Sequence, residues 1–307
     1  MSIRRIHIAG PVLVAVAALA TGCGSGASSQ ASPTSSTSPA SSAPSSTAPG
    51  TTEPAATAAV SATLPAGRHI ETYAVQGVER TAVVVVPKAL TNVTPLVLVF
   101  HGHGGTAPNI ERKFDIEGLW PQAIVVYPQG LVGHKGKTDP TGVKTGWQTA
   151  VGEGGDADLA FYDTMLASLR SALPVDSNRI YAMGHSNGSG FVSLLLNQRG
   201  AGIAATANLS GVLVQLLPTD PPRSMFMAMG MTDPIVPYVN QKRAIPLAEK
   251  KIGADPATAK VAGYLRSEKG RGNLELETYI YPGGHEPPAI VPRLVVDFFR
   301  RHTLATG

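Results

Sequence analysis

From about residue 62 onward, short apolar runs alternate with segments whose apolar residues recur at helical spacing. Two β-rich runs, "HIETYAV" and "RTAVVVVP", flank Gln76-Gly77 and read as a hairpin. "PLVLVFHG" follows, an unbroken apolar run of the kind expected of a strand buried on both faces. "AIVVYP" and "RIYAMGH" are shorter runs of the same type. Between them, "DADLAFYDTMLASLRSAL" places Leu159, Tyr162, Leu166 and Leu169 on one helical face, with Asp156 or Asp158 as candidate N-cap. "FVSLLLNQ" predicts a buried helix, and "IAATANLSG", "SMFMAMG" and "LETYIYPGG" predict strands that each end in turn residues. "IVPRLVVDFFRRH" predicts an amphipathic helix whose basic end suits a helix C-terminus. Buried strands alternating with helices predict an α/β fold: a mostly parallel central sheet with helices on both faces, preceded by the antiparallel hairpin.

The first sixty residues follow a different pattern. Arg4 and Arg5 precede an apolar stretch from Ile6 to Ala20, and small residues lead to Cys23. This is the layout of a secretory signal, too short and poorly flanked for a spanning helix. "LATGC" resembles the bacterial lipobox, with Ala20 where leucine is preferred, so residues 1–22 are expected to be a lipoprotein signal peptide and Cys23 the lipidated residue. Ordinary secretion is the alternative. Cys23 is the only cysteine, which excludes an intramolecular disulfide, and lipidation would leave no free thiol in an oxidising compartment. Residues 23–61 are almost entirely Ser, Thr, Ala, Pro and Gly, with Glu53 the sole charge, and read as a disordered stalk. The part from Gly24 to about Ala59, roughly 36 residues at about 3 Å each, could reach at most about 110 Å. Residues 62–307 remain for one large α/β domain.

Charge narrows the partners. The formal net charge of +4 becomes +2 without Arg4 and Arg5, and no basic run or arginine stripe is present, which argues against nucleic acid. The expected location is outside the cytoplasm, lipid-anchored to the outer face of a bacterial membrane or secreted.

Candidate chemistry centres on "GHSNGSG" at 184–190, which contains G-x-S-x-G between a predicted strand and a predicted helix. A sharp turn there lifts a serine hydroxyl above the sheet, next to a helix N-terminus that favours negative charge. With this much glycine the motif is modest evidence alone; its placement strengthens it. Serine needs a base, and the base an orienting acid, in the chain order Ser, Asp or Glu, His. Asp220, Asp233 and Asp255 lie between Ser186 and the late His285, and Asp233 is selected because it comes just after "SMFMAMG", at the end of a predicted buried strand. His285 follows "LETYIY" in "YPGGHEPP". A lone loop histidine is usually solvated or structural; three residue types in the right order at strand ends favour the triad Ser186, Asp233 and His285.

"FHGHGG" at 100–105 resembles a loop that lends a backbone N–H to an oxyanion, so the amides of His103 and Asn187 are the candidate donors. A plain tight turn is the other reading of these glycines. His101 and His185 are expected to support or line the pocket, with His185 assigned to substrate binding. Trp147 has two balanced readings, an aromatic packed under a loop or a substrate platform in the cleft. Ser189 reads as a helix-face residue. His101, His103, Asp156 and Asp158 show no paired-ligand spacing, so neither a metal nor another cofactor is expected.

Together "LVLVFHGHGG", "DSNRIYAMGHSNGSG", "MGMTDPIVPY" and "YPGGHEPP" resemble the polyhydroxybutyrate depolymerase family of α/β-hydrolases, which includes feruloyl and acetylxylan esterases and lipid-anchored mycobacterial-type esterases. The likeness covers about residues 68–302. It implies a monomeric serine esterase acting on a small-molecule or glycan-linked ester, touching the membrane only through its anchor. Two departures stand out: no disulfides surround the site, and Glu286-Pro287-Pro288 follows the histidine where relatives often carry a small residue and tryptophan. A serine peptidase, or a non-catalytic surface binding protein on the same fold, are the competing classes.

Overall fold

A computed structural model describes residues 64–135, 139–211 and 222–304. The expected signal peptide, Cys23, the stalk and Asp220 lie outside the described residues. In chain order the elements are β1 (Gly67–Val75), β2 (Val78–Val86), β3 (Thr94–Phe100), α1 (Ala107–Phe114), α2 (Ile116–Leu119) and β4 (Ile124–Pro128). Then come α3 (Ala157–Ala172), β5 (Val175–His185), α4 (Asn187–Arg199), β6 (Ala205–Leu209) and β7 (Ser224–Gly230). The chain continues with α5 (Tyr238–Gln241), α6 (Ala244–Ile252), β8 (Lys260–Ala262), β9 (Leu265–Lys269), β10 (Glu275–Tyr281) and α7 (Val291–Arg300).

The strands among the described residues join one ten-stranded sheet in the order β1-β2-β4-β3-β5-β6-β7-β10-β9-β8. From β4 to β10 neighbouring strands run parallel, and an antiparallel hairpin borders each side. The first hairpin turns at Gln76 and Gly77, both at positive φ (49° and 79°), the geometry that matches strand twist. The second, β8–β9, lies with α6 in the stretch 240–272, to which the sequence analysis assigns no element. It is short and charged, so its alternation is weak. Helices α1 and α2, in a stretch assigned no element, are also short; Thr106 caps α1 by accepting from the Asn109 amide.

Side-chain alternation divides the core. Leu96, Leu98 and Phe100 face the layer of α3 and α4, whereas Val97 and Val99 face α1, α2 and α7. β3 is buried throughout, which is why its sequence shows no alternation. The expected α3 face of Leu159, Tyr162, Leu166 and Leu169 is buried. Asp156 stands at the expected N-cap position, but its side chain makes no capping bond; Gln148 Oε1 accepts instead from the amides of Asp158 and Leu159. Among the described residues, no helix is long and apolar enough to cross a membrane.

Asp158 is instead engaged by Arg80 of β2. The two side chains, each 1% exposed, meet at 2.7 Å, and the guanidinium lies 4.3 Å from the centroid of the Phe161 ring. The other carboxylate oxygen accepts from the Gln148 amide at 2.7 Å and meets His134 at 3.1 Å. This cluster ties the segment after β4 to the edge of the sheet. Removing one partner leaves a buried charge unmatched, so Asp158→Ala is expected to lower unfolding stability by about 3–5 kcal/mol in urea titrations. A loss within a few tenths of a kcal/mol would contradict this account.

Candidate functional site

The strand order reverses between β3 and β5, and the carboxyl ends of the parallel strands open there into a cleft. β5 ends at His185, and α4 begins at Asn187. Ser186 makes the whole turn between them, at φ 55° and ψ −117°. A non-glycine residue in that region stores about 1–3 kcal/mol and persists only where its surroundings hold it. Here the Ser186 amide donates to the Leu209 carbonyl at 2.8 Å, and its own carbonyl accepts from Ser189 at 3.0 Å. The flanking glycines are required by close approach. A Cβ on Gly184 would stand 2.2 Å from the Gly188 carbonyl oxygen, and one on Gly188 would stand 2.4 Å from that of Phe100. Ser189 is buried, and its carbonyl accepts from Asn208 Nδ2.

Parallel pairing of β7 with β10 sets Gly230 opposite Tyr281, so the loops leaving these strands run side by side. The Met231 amide donates to Tyr281 and the Thr232 amide to Gly283. Asp233 and His285 therefore meet, with Nδ1 2.8 Å from Oδ2. Donation from Nδ1 leaves Nε2 as the unprotonated nitrogen of the neutral ring. The remaining acceptor positions of Asp233 are also occupied. Oδ1 accepts from the amides of Ile235 and Val236 at 2.8 and 2.9 Å, and Oδ2 accepts from Gln241 Nε2 at 2.9 Å. Sequence reading missed Gln241: it lies only eight residues after Asp233, but a lone glutamine in a polar stretch carries no signal. Asp255, the discarded alternative, caps the turn at Pro256–Thr258.

Ser186 and His285 line one cavity of about 460 Å³. Among the described residues no hydrogen bond joins Ser186 Oγ to the His285 ring. His185 also lines the cavity, and its Nε2 lies 3.1 Å from the His285 carbonyl oxygen, where it donates. Burial, with Lys113 nearby, pushes its pKa down to about 3, so the ring is neutral and supports the loop carrying His285.

The loop after β3 forms the opposite wall. The Gly130 amide donates to His101 Nε2 at 3.0 Å, which leaves Nδ1 as the donor to the Gly102 carbonyl at 2.8 Å. Burial holds His101 below the usual histidine pKa, in keeping with this neutral tautomer. The amides of His103 and Asn187 donate to no group among the described residues. The His103 ring lies 3.1 Å from Asp139, whose pKa is lowered to about 2, chiefly by the Lys144 amide. With His101 engaged by Gly130 and Asp158 by Arg80, the histidines and aspartates weighed as ligands do not converge. Among the described residues no group of three or more His, Cys, Asp or Glu side chains could hold a metal.

Of the two readings of Trp147, the structure favours the aromatic packed under a loop over the substrate platform. Trp147 is 1% exposed, edge-on to Phe100 and stacked on Phe191, with Nε1 donating to the His101 carbonyl. It is not a substrate platform. Its glycine-rich neighbours suggested an exposed loop, but the Asn187 side chain accepts from the Trp147 amide at 2.7 Å and donates to its carbonyl at 3.0 Å. That clamp turns the indole into the core.

The ten-stranded sheet, the two helical layers and a sharp serine turn at the end of β5 are those of an α/β-hydrolase fold. No family model matches the chain. In sequence it is 29% identical over 175 residues to a protein described as an esterase, NocK, from Nocardia uniformis subsp. tsuyamanensis, covering 55% of this chain and 48% of that one. It is 27% identical over 156 residues to a protein described as feruloyl esterase C from Aspergillus niger, covering 48% of this chain and 55% of the relative. The chain thus spans about half the length of the curated relatives it matches. Among solved structures, acetyl xylan esterase from Aspergillus awamori superposes with a TM-score of 0.60 at 15% identity, covering 76% of this chain and 99% of that one. A Bacillus cereus carboxylesterase gives 0.52 at 18% identity, covering 72% and 94%.

As a core residue, Trp147 is expected to govern stability. Trp147→Ala should cost about 3–5 kcal/mol in chemical denaturation. A variant with unchanged stability and only a raised KM would restore the platform reading.

Proposed function

We propose that this chain is a serine-dependent carboxylic ester hydrolase. The observation that carries the reading is the 2.8 Å hydrogen bond from buried Asp233 to His285, which lines one cavity with Ser186 on its strained turn. The esterase descriptions of its sequence relatives support the same reading.

In the proposed reaction, Ser186 Oγ bonds to the ester carbonyl carbon as its proton passes to His285 Nε2. Asp233 holds the ring in the required tautomer and stabilises the imidazolium. Negative charge on the former carbonyl oxygen is met by the His103 and Asn187 amides, at the N-terminus of α4. Collapse breaks the bond to the alcohol oxygen, which leaves with the proton from His285. Water then attacks the acyl-enzyme, giving its proton to His285; the carboxylic acid departs and Ser186 regains its proton. Acetyl and feruloyl esters, free or on glycans, are the proposed substrate class, following the descriptions of the similar proteins. His185 supports this site through the His285 carbonyl.

A fluorophosphonate probe should label the purified protein at Ser186 and fail to label Ser186→Ala. Asp233→Asn should reduce kcat on 4-nitrophenyl acetate by about 10⁴-fold, since the ring is then held in the wrong tautomer. Equal labelling of the two proteins would remove the hydrolase reading and favour a surface binding protein.

Location is a separate proposal. The "LATGC" stretch supports cleavage before Cys23, lipidation there, and a domain held outside the membrane on its Ser/Thr/Pro/Ala-rich stalk. In a bacterial host, Cys23→Ala should move the protein from the membrane fraction to the soluble or secreted fraction. Retention of that variant in the membrane would refute lipid anchoring.

A further inference from the structure

Three charged side chains, Lys113, Lys144 and Glu286, border the cavity beside Ser186, and Ile110 and Ile235 are its only aliphatic lining residues among those described. Lys113, at the end of α1, forms an ion pair with Glu286, the residue directly after His285. The lysine side chain is 35% exposed and the glutamate 65%, so the carboxylate is the more solvated and replaceable member. Burial lowers the Lys113 pKa, which means that the ammonium form benefits from a counter-charge. The Lys144 ammonium has no ion-pair partner among the described residues, although the Lys144 backbone amide donates to Asp139. Its Cδ lies 3.5 Å from where a Cβ on Gly104 would stand, which sets its stem against the loop that carries His103.

We propose that Lys113 and Lys144 form an anion subsite, and that the preferred substrate is an ester carrying a second, ionised carboxylate, which takes the place of Glu286 on Lys113 or fills the free position at Lys144. Glu286 is then an internal competitor that keeps Lys113 in place between turnovers. The proposal rests on the esterase reading for its turnover measurements, and only for those.

Two matched ester pairs test it. The mono-4-nitrophenyl ester of adipate against 4-nitrophenyl hexanoate varies charge on the acyl side, and 4-carboxyphenyl acetate against phenyl acetate varies it on the alcohol side. The readout is the ratio of kcat/KM, charged over neutral. In one pair this ratio should exceed unity, fall about fivefold in Lys113→Met or Lys144→Met, and rise in Glu286→Gln. Raising salt should lower it. A ratio near unity in both pairs that the lysine substitutions do not move would overturn the proposal, even if both lysine variants lost activity through disturbance of the His285 loop. Binding separates this outcome from failure of the esterase reading. Calorimetric titration of Ser186→Ala with monomethyl adipate should show binding that weakens about fivefold when Lys113→Met or Lys144→Met is added, whether or not the wild type hydrolyses any ester. Binding insensitive to both lysines, or no tighter than that of methyl hexanoate, would also overturn it.

Discussion

The close approach of α4 to the carbonyl ends of β3 is the constraint on which the site depends. Gly188 leaves room for the Phe100 and His101 carbonyls, and Gly184 leaves room for Gly188, so the chain can reverse through a single strained serine. A wider turn would carry α4 away from the sheet. The first residue of α4, Asn187, would then lose its two hydrogen bonds to the Trp147 backbone. Trp147 in turn packs on Phe100 and Phe191 and bonds to His101, so the turn, the loop after β3 and the long segment after β4 are one packed unit. The strain at Ser186 is offset by ordinary core packing around it.

A second constraint acts on the other side of the cleft. Parallel strands in register deliver their carboxyl ends to the same level, and the β7–β10 pairing does this for Asp233 and His285, residues 52 positions apart. Backbone bonds between the two loops hold them together before the carboxylate and imidazole meet. Gln241 adds a further donor to Asp233, and His185 bonds to the backbone of His285 from the β5 side. The pair is fixed by three separate strands, which suits a group that must keep one tautomer and one orientation.

Charge is distributed unevenly around this frame. The deeply buried Arg80–Asp158 pair fastens the segment after β4 to the sheet edge, far from any role that requires titration. Around the cavity, by contrast, the ionic groups are half-exposed and incompletely matched, as Lys113, Lys144 and Glu286 illustrate. Well-matched buried charges fix geometry, and exposed ones remain available to a solute.

Local pattern was enough for the elements whose burial is dictated by the chain itself. The unbroken apolar β3, the helical spacing of α3 and the Gln76-Gly77 turn could each be read directly, and with them the parallel sheet and the hairpin. The positions of Ser186, Asp233 and His285 at strand ends were also legible, because a strand that stops at a turn residue marks its own end. Short elements were not: α1, α2, α6 and the β8–β9 hairpin carry too few periods for their pattern to stand out. Trp147 could not be placed either, since its burial depends on a side chain 40 residues away. The chain's own periodicity therefore determined which segments are buried and where they end. Only tertiary packing decided which loops those ends bring together, because hydrogen bonds such as Asn187 to Trp147 and Arg80 to Asp158 join residues whose separation in sequence leaves no local trace.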